Sequence, residues 1–249
     1  MTEGQKKAIL RLSKKENRKL LKNWRPISLL NSDYKLAAKV KAKRLQKVLP
    51  TIMNEDKTCG VPGRTIYENI FRLRDLVHNN KLRKHNLILI NLNQEKSTWP
   101  RSNKIQKTLR KQNFGPSLRW WIEVLYEGEN CVVLNNGWIS DPINLERGVR
   151  RGCPLSPLLY IIIAETLGNA IGKDSHIEGM KIPWTTEQSK ISQYADDATL
   201  TLADDQSVIR SFDIINKFEV ATGGKLNMEK TEEIYIGNNA GQDARTGAN

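Results

Sequence analysis

An α+β fold, with helices packed on a small and mainly antiparallel sheet, is the class this 249-residue sequence predicts. Three observations lead there. The apolar pattern reads first as strand, then as a helix-rich stretch, then as β-α-β-β-α-β. Two pairs of strands are joined by tight turns, at Asn135-Asn136-Gly137 and at Asp196-Asp197, and only antiparallel neighbours are joined so closely. Finally, the stretch from Leu158 to Ile171 is apolar on almost every face, which marks a buried helix.

The elements follow in order. Ala8-Ile9-Leu10 reads as a strand leading into a charged turn, Ser13 to Asn17. Trp24 to Leu30 is extended, because Pro26 forbids a helix there. Asp33 is expected to cap a helix that runs to about Leu49 and stops at Pro50. Its apolar face is Tyr34, Ala37, Ala38, Leu45, Val48 and Leu49, and Lys35, Lys39, Lys43 and Lys47 form a basic stripe. After the Gly/Pro loop 57–64, a second helix spans about Thr65 to Asn79, with Ile66, Ile70, Leu73 and Val77 inward. Leu87 to Leu92 is a strand whose near-continuous apolar run predicts burial on both faces.

A helix pair flanks Phe114-Gly115-Pro116, with Leu118, Trp121, Ile122 and Leu125 inward on the second helix. Cys131 to Leu134 and Trp138-Ile139 form a hairpin around the Asn-Gly turn. Ser156 as N-cap with Pro157 at the first helical position starts the buried helix. Ile191 to Tyr194 and Ala198 to Leu202 are strands, with Asp196 and Asp197 in the turn between them. A helix from about Gln206 to Thr222, Gly223-Gly224 and a strand Glu233 to Ile236 complete the fold. The Gly- and Asn-rich tail 238–249 is expected to be disordered.

Composition narrows the function. Hydrophobic residues make up 39% of the chain, enough for a core and too many for a disordered chain. No run approaches the ~18 apolar residues of a membrane span, and the basic N-terminus lacks the apolar core of a signal peptide. The expectation is an intracellular protein, nuclear or cytoplasmic, with no membrane partner. Cys59, Cys131 and Cys153 match no zinc spacing, and His78, His85 and His176 are too scattered for a histidine-built site. The net charge of +13 is uneven: residues 1–120 hold 29 Lys and Arg against 8 Asp and Glu, whereas residues 121–249 hold 11 against 19. A basic half suits a polyanion and an acidic half suits a metal site. A solvated basic surface would show the same charge.

The sharpest local feature is Tyr194-Ala195-Asp196-Asp197 at a hairpin tip. Two crowded carboxylates repel unless a cation is shared, and Mg²⁺ prefers such hard oxygen ligands. An ordinary Asp-Asp turn has the same sequence.

Longer motifs stand around this feature. Lys22 to Asn31 (KNWRPISLLN), Gly60 to Arg64 (GVPGR), Arg147 to Pro157 (RGVRRGCPLSP) and Gly223 to Glu232 (GGKLNMEKTE) flank the YADD hairpin in order and spacing. Together they resemble the reverse transcriptases of LINE-type (non-LTR) retrotransposons over residues 5–237. The resemblance implies a right-hand polymerase fingers and palm without a thumb, with fingers at about 1–86 and palm with further fingers elements at about 87–237. It implies an RNA-directed DNA polymerase that uses Mg²⁺, an RNA template, a DNA primer and deoxynucleoside triphosphates, with the thumb and other domains of a parent polyprotein as partners. By the same resemblance, Asp196 and Asp197 are metal ligands. Arg25 with Lys14 or Lys15 meets the triphosphate, and Gly152 allows close approach to the template–nucleotide pair. Arg64 and Arg151 lie along the template, and Lys230 protonates the leaving pyrophosphate.

One position departs. Where the family has its first metal-binding Asp, this chain has Asn93, an amide oxygen without charge. Thr98 replaces the aromatic that screens the sugar 2′ position, and the stretch 98–105 is one residue short. Arg151, Lys57, Cys59 and Gly60 are smaller departures. The expectation is therefore a polymerase of impaired activity; the alternative is a non-catalytic nucleic-acid-binding remnant, and a third possibility is a reading frame that folds poorly.

Overall fold

Strand β1 (Ala8–Lys14) pairs antiparallel with β2 (Trp24–Leu29), from Ile9↔Leu29 to Lys14↔Trp24. On its other side β1 runs parallel to β4 (Asn130–Asn135), which turns through Asn136 and Gly137 into β5 (Trp138–Ile139) and also carries β6 (Ile143–Asn144). Asn136 and Gly137 both have positive φ, 48° and 85°, as a two-residue turn between right-twisted strands requires. The computed structural model describes residues 1–2, 7–14, 24–83, 85–93, 102–144, 152–183 and 185–237; for 11–14, 24–26, 83 and 102–103 it describes the backbone alone.

The second sheet has the order β11-β3-β10-β9, all antiparallel. It consists of β3 (Leu87–Asn93), β9 (Ile191–Tyr194), β10 (Asp197–Leu202) and β11 (Glu232–Ile236). A small hairpin, β7 (Met180–Lys181) with β8 (Gln188–Ser189), was not foreseen.

Seven helices lie among the described residues: α1 (Ser32–Gln46), α2 (Leu49–Ile52), α3 (Ile66–Arg83), α4 (Ser102–Lys111), α5 (Pro116–Tyr126), α6 (Ser156–Lys173) and α7 (Asp205–Thr222). The mixture of helices and antiparallel-rich sheets is the expected α+β class.

Two compact units result, Met1–Val48 with Thr98–Ile162, and Leu49–Ser97 with Ile163–Asn249. The chain therefore enters each unit twice. The reason is visible at residues 56–58, whose backbone hydrogen-bonds to Gln193 and so joins the segment after α1 to the second sheet.

Burial explains the elements. The first unit buries Tyr34, Ala38, Ala42 and Leu45 on α1, and Ile122, Leu125 and Tyr126 on α5. Tyr34 donates its hydroxyl to the Leu125 carbonyl at 3.0 Å. In the second unit, Ile88, Ile90 and Leu92 join Leu167, Ile171, Leu200, Leu202 and Ile215 in one cluster, while Leu87 and Leu89 meet Leu76 and Met180 in another. The start of β3 is thus covered on both faces, as its apolar run predicts; Asn91 is exposed.

Several local expectations change. Asn31, not Asp33, caps α1: its side chain accepts from the Asp33 N–H at 2.9 Å. Pro50 does not end a helix but sits in the first turn of α2, where its missing N–H costs nothing. Val48 is exposed, because the chain has left α1 before it. On α3 the buried positions are Asn69, Leu76 and Asn80, whereas Ile66 and Ile70 face out; the polar Asn69 faces inward because its side chain donates to the Gln193 carbonyl. Ser156 is already helical.

Candidate active site at the end of the four-stranded sheet

The ladder between β3 and β10 ends on the pair Asn93↔Asp197, and Asp197 also pairs with Tyr194 across the hairpin. Directly paired residues point to the same face of an antiparallel sheet, so Asn93 and Asp197 stand side by side. The turn itself is Ala195-Asp196, with Ala195 at φ 54°. Asp197 is therefore the first residue of a strand and not a turn residue. Both carboxylates are exposed. Partial burial and the charge of Asp196 push the Asp197 carboxyl above the usual carboxylate range.

A third segment closes on the same end. Gly223 ends α7 in the left-handed region, and a 3-10 turn, Met228–Lys230, follows. The Asn227 N–H donates to the Asn93 carbonyl at 2.7 Å. The Asn93 N–H reaches the Thr231 hydroxyl at 3.4 Å, and that hydroxyl donates to the Asn227 carbonyl at 3.0 Å. These bonds set the exposed Lys230 beside the end of β3. Asn93, Asp196, Asp197 and Lys230, from three separate stretches of the sequence, thus meet at one sheet end.

Behind the hairpin lies a buried polar network that the sequence reading did not find. Lys57 is fully buried, and its ammonium donates to the Gln193 side-chain oxygen at 3.1 Å. Burial brings the Lys57 pKa down to about 8, against the opposing pull of Glu165. Burial likewise raises the Glu165 carboxyl, which accepts from the Asn54 N–H at 2.9 Å and from Asn169 at 3.2 Å. Arg64, expected along a template path, turns its guanidinium onto the backbone carbonyls of Pro50, Met53, Asn54 and Lys57.

In the first unit, Ser13↔Arg25 and Lys14↔Trp24 place Arg25 and Lys14 at neighbouring ladder positions of β1 and β2. Gly152 has φ +99°, and a Cβ there would come within 2.9 Å of the Ser28 carbonyl, so no other residue fits without strain. Lys15, Thr98, Arg151 and the tail 238–249 lie outside the described residues. Among the described residues, no three His, Cys, Asp or Glu side chains converge to hold a metal ion, and no helix is long and apolar enough to cross a membrane.

A family model described as reverse transcriptase (RNA-dependent DNA polymerase) matches residues 12–242. The chain belongs to that family. This reverse transcriptase domain is 33% identical over 248 residues to the transposon TX1 uncharacterized 149 kDa protein of Xenopus laevis, a match that covers 95% of the chain and 19% of that relative. It spans about a fifth of the relative's length. The LINE-type kinship expected from the motifs holds. Among solved structures, telomerase from Candida tropicalis in complex with a fragment of telomeric RNA superposes with a TM-score of 0.69 at 16% identity, over 96% of the chain and 42% of the telomerase. The apo Candida tropicalis telomerase truncated from its C-terminal domain gives 0.66 at 15% identity, over 95% and 51%. At such identities the likeness is one of fold, and the fold is that of a polymerase.

Proposed function

We propose that this reverse transcriptase domain descends from an active RNA-directed DNA polymerase and that Asn93 leaves this copy impaired. The observation that carries the reading is the Asn93↔Asp197 pair, with Asp196 in the adjoining turn. The oxygen-only donor set and the mutual crowding of Asp196 and Asp197 suit a hard divalent cation. Asp196 and Asp197 would hold Mg²⁺, with Asn93 offering an amide oxygen. When bound, such ions activate the primer hydroxyl and stabilise charge on the transferred phosphates.

The chain's own residues do the rest. Lys230 stands exposed at the same sheet end, able to give a proton to the leaving pyrophosphate. Arg25, with Lys14 or Lys15, supplies positive charge for a deoxynucleoside triphosphate. Gly152 keeps the backbone free of a side chain where template and nucleotide approach. Thr98 offers less bulk at the sugar than an aromatic ring. The basic half receives the RNA template and DNA primer.

The neutral Asn93 would bring no negative charge to help hold such ions. Losing several kcal/mol there is a rate loss on the order of a thousandfold. Primer extension by the original chain, by Asn93→Asp and by Asp196→Ala as blank tests this reading. Extension by the original at about 1–1000 per second, the ordinary enzyme range, would overturn the impairment.

The same observation favours a second reading, a non-catalytic nucleic-acid-binding remnant. It predicts template binding whose log–log salt slope falls by about 0.7–0.9 per neutralised phosphate, and no extension by either the original chain or the Asn93→Asp variant.

A further inference from the structure

We propose that the loop from Asn54 to Arg64 is a positioning element for the carboxylate hairpin, with Arg64 and Lys57 as positioning residues that act through Gln193. What the hairpin does rests on the polymerase reading; that the loop holds it does not.

Strand β9 has four residues and lies at the edge of its sheet, paired with β10 on one side only. An edge strand has a row of unpaired backbone groups and frays readily. This one leads straight into the turn that carries Asp196. The loop supplies the missing side at one residue. The Gln193 N–H donates to the Asp56 carbonyl at 2.8 Å, and the Gln193 carbonyl accepts from the Thr58 N–H and from the Asn69 side chain, each at 3.3 Å. Lys57 and Gln193 thereby form a parallel bridge.

The Gln193 side chain is fixed as well. An ammonium only donates, so Lys57 turns the amide oxygen of Gln193 toward itself. The amide nitrogen is left facing α6, where it donates to the Ala164 carbonyl at 3.2 Å. Gly168 leaves room for this arrangement: a Cβ there would stand 3.1 Å from the Gln193 oxygen. All four polar groups of Gln193 are engaged, two residues before the turn.

The loop between α2 and α3 holds no regular element that could fix it by itself. Arg64 supplies that order. One guanidinium nitrogen donates to Asn54 and Lys57 carbonyls and the other to Met53 at 2.9 Å and Pro50 at 3.3 Å. The contacts run from Arg64 through residues 54–58 to Gln193, two residues before Ala195 along the chain. Only a planar fork reaches four carbonyls at once, so lysine cannot replace it.

Hydrogen–deuterium exchange on the full chain, followed by mass spectrometry, tests this. The variants are Arg64→Lys, Lys57→Met and Lys57→Gln, with Lys217→Met on the exposed face of α7 as control. In Arg64→Lys and Lys57→Met, amides 193–198 should exchange at least tenfold faster while those of 205–222 keep their protection. Lys57→Gln, which still offers a donor to Gln193, should restore most of the protection, and Lys217→Met should change nothing at the hairpin. Unchanged exchange at 193–198, or an acceleration matched at 205–222, overturns the proposal. If Arg64→Lys does not fold, the Lys57→Met and Lys57→Gln pair decides alone. On an Asn93→Asp chain, Arg64→Lys should lower kcat for primer extension at least tenfold with KM for the nucleotide within twofold. An Asn93→Asp chain that extends nothing counts against the polymerase reading, whereas the exchange result still judges the loop.

Discussion

The hairpin tip and the end of β3 contribute to the same site but are built in opposite ways. The tip is local: two residues turn the chain, Ala195 sits at φ 54°, and the exposed carboxylates follow an edge strand, β9, that is backed by one loop. The end of β3 is remote in sequence from what holds it. It lies between β10 and β11 and is tied to Asn227 and Thr231, more than 130 residues away. Both bonds at that end, and the ladder itself, use the backbone of Asn93 and leave its side chain out. The difference teaches that placement and charge are separable. An amide at position 93 brings no charge and leaves the geometry intact, so under the proposed reading restoring one carboxylate should raise activity.

That comparison is sharpened first by Asn93→Asp. Primer extension should rise by up to about a thousandfold over the original, measured against Asp196→Ala as blank. Recovery should stop short of the ordinary enzyme range if Thr98 holds the sugar less firmly than an aromatic ring, as proposed. No gain would mean that the end of β3 is misplaced as well as uncharged.

The support of the tip is tested by Lys57→Met through pH. The folded pKa of Lys57 is about 8 and its ordinary value 10.5. Below about pH 8 both folded and unfolded chains bind the proton, and the net cost of keeping Lys57 charged in the fold, on the order of 3 kcal/mol, is present. Between pH 8 and 10.5 the folded chain has released the proton and the unfolded chain has not, so the original gains stability as pH rises. Urea unfolding at pH 7, 9 and 10 should show this gain in the original and not in Lys57→Met. Glu165 and Cys59, which act electrostatically on Lys57, and Asp56, which acts on Glu165, are common to both chains. Parallel pH curves would remove Lys57 from the buried network.

A smaller effect compares the two regions directly. Without divalent ions, Asn93→Asp should melt below the original, since like charges directly opposed across a ladder repel. Mg²⁺ at ten times its dissociation constant should then stabilise it by about 1.4 kcal/mol, and should do so less for the original. Equal Mg²⁺ responses would show that position 93 takes no part in cation binding.

The smallest changes probe each region's own construction. Ala195→Gly relieves a left-handed residue and should stabilise the chain by up to about 1 kcal/mol. Thr231→Val removes the hydroxyl shared by Asn93 and Asn227 and should cost about 1 kcal/mol. Thermal melts of both, with signs as stated, would confirm a locally strained tip and a remotely tied strand end.

Much of this site was legible before the structure. The strand Ile191–Tyr194, the Asn136-Gly137 turn, the buried helix after Pro157 and the burial of Leu87 and Ile88 all follow from short-range period and turn chemistry. The departure at Asn93 was legible because its neighbours in sequence resemble a family motif. The inward faces of other elements were not. Ile66 and Ile70 point out while Asn69 points in, because hydrogen bonding to Gln193 outweighs the apolar pattern of α3.

The sequence by itself determined where the chain turns, which residues alternate and where the carboxylates lie, since these depend on neighbours within a few positions. Tertiary structure alone decided that Lys57 is buried, that Arg64 faces carbonyls of its own loop, and that Asn227 and Thr231 hold the end of β3. Lysine and arginine in a Gly/Pro loop read as surface charge. The burial of Lys57 depends on partners such as Gln193, 136 residues further on, and a local pattern carries no trace of a partner at that distance.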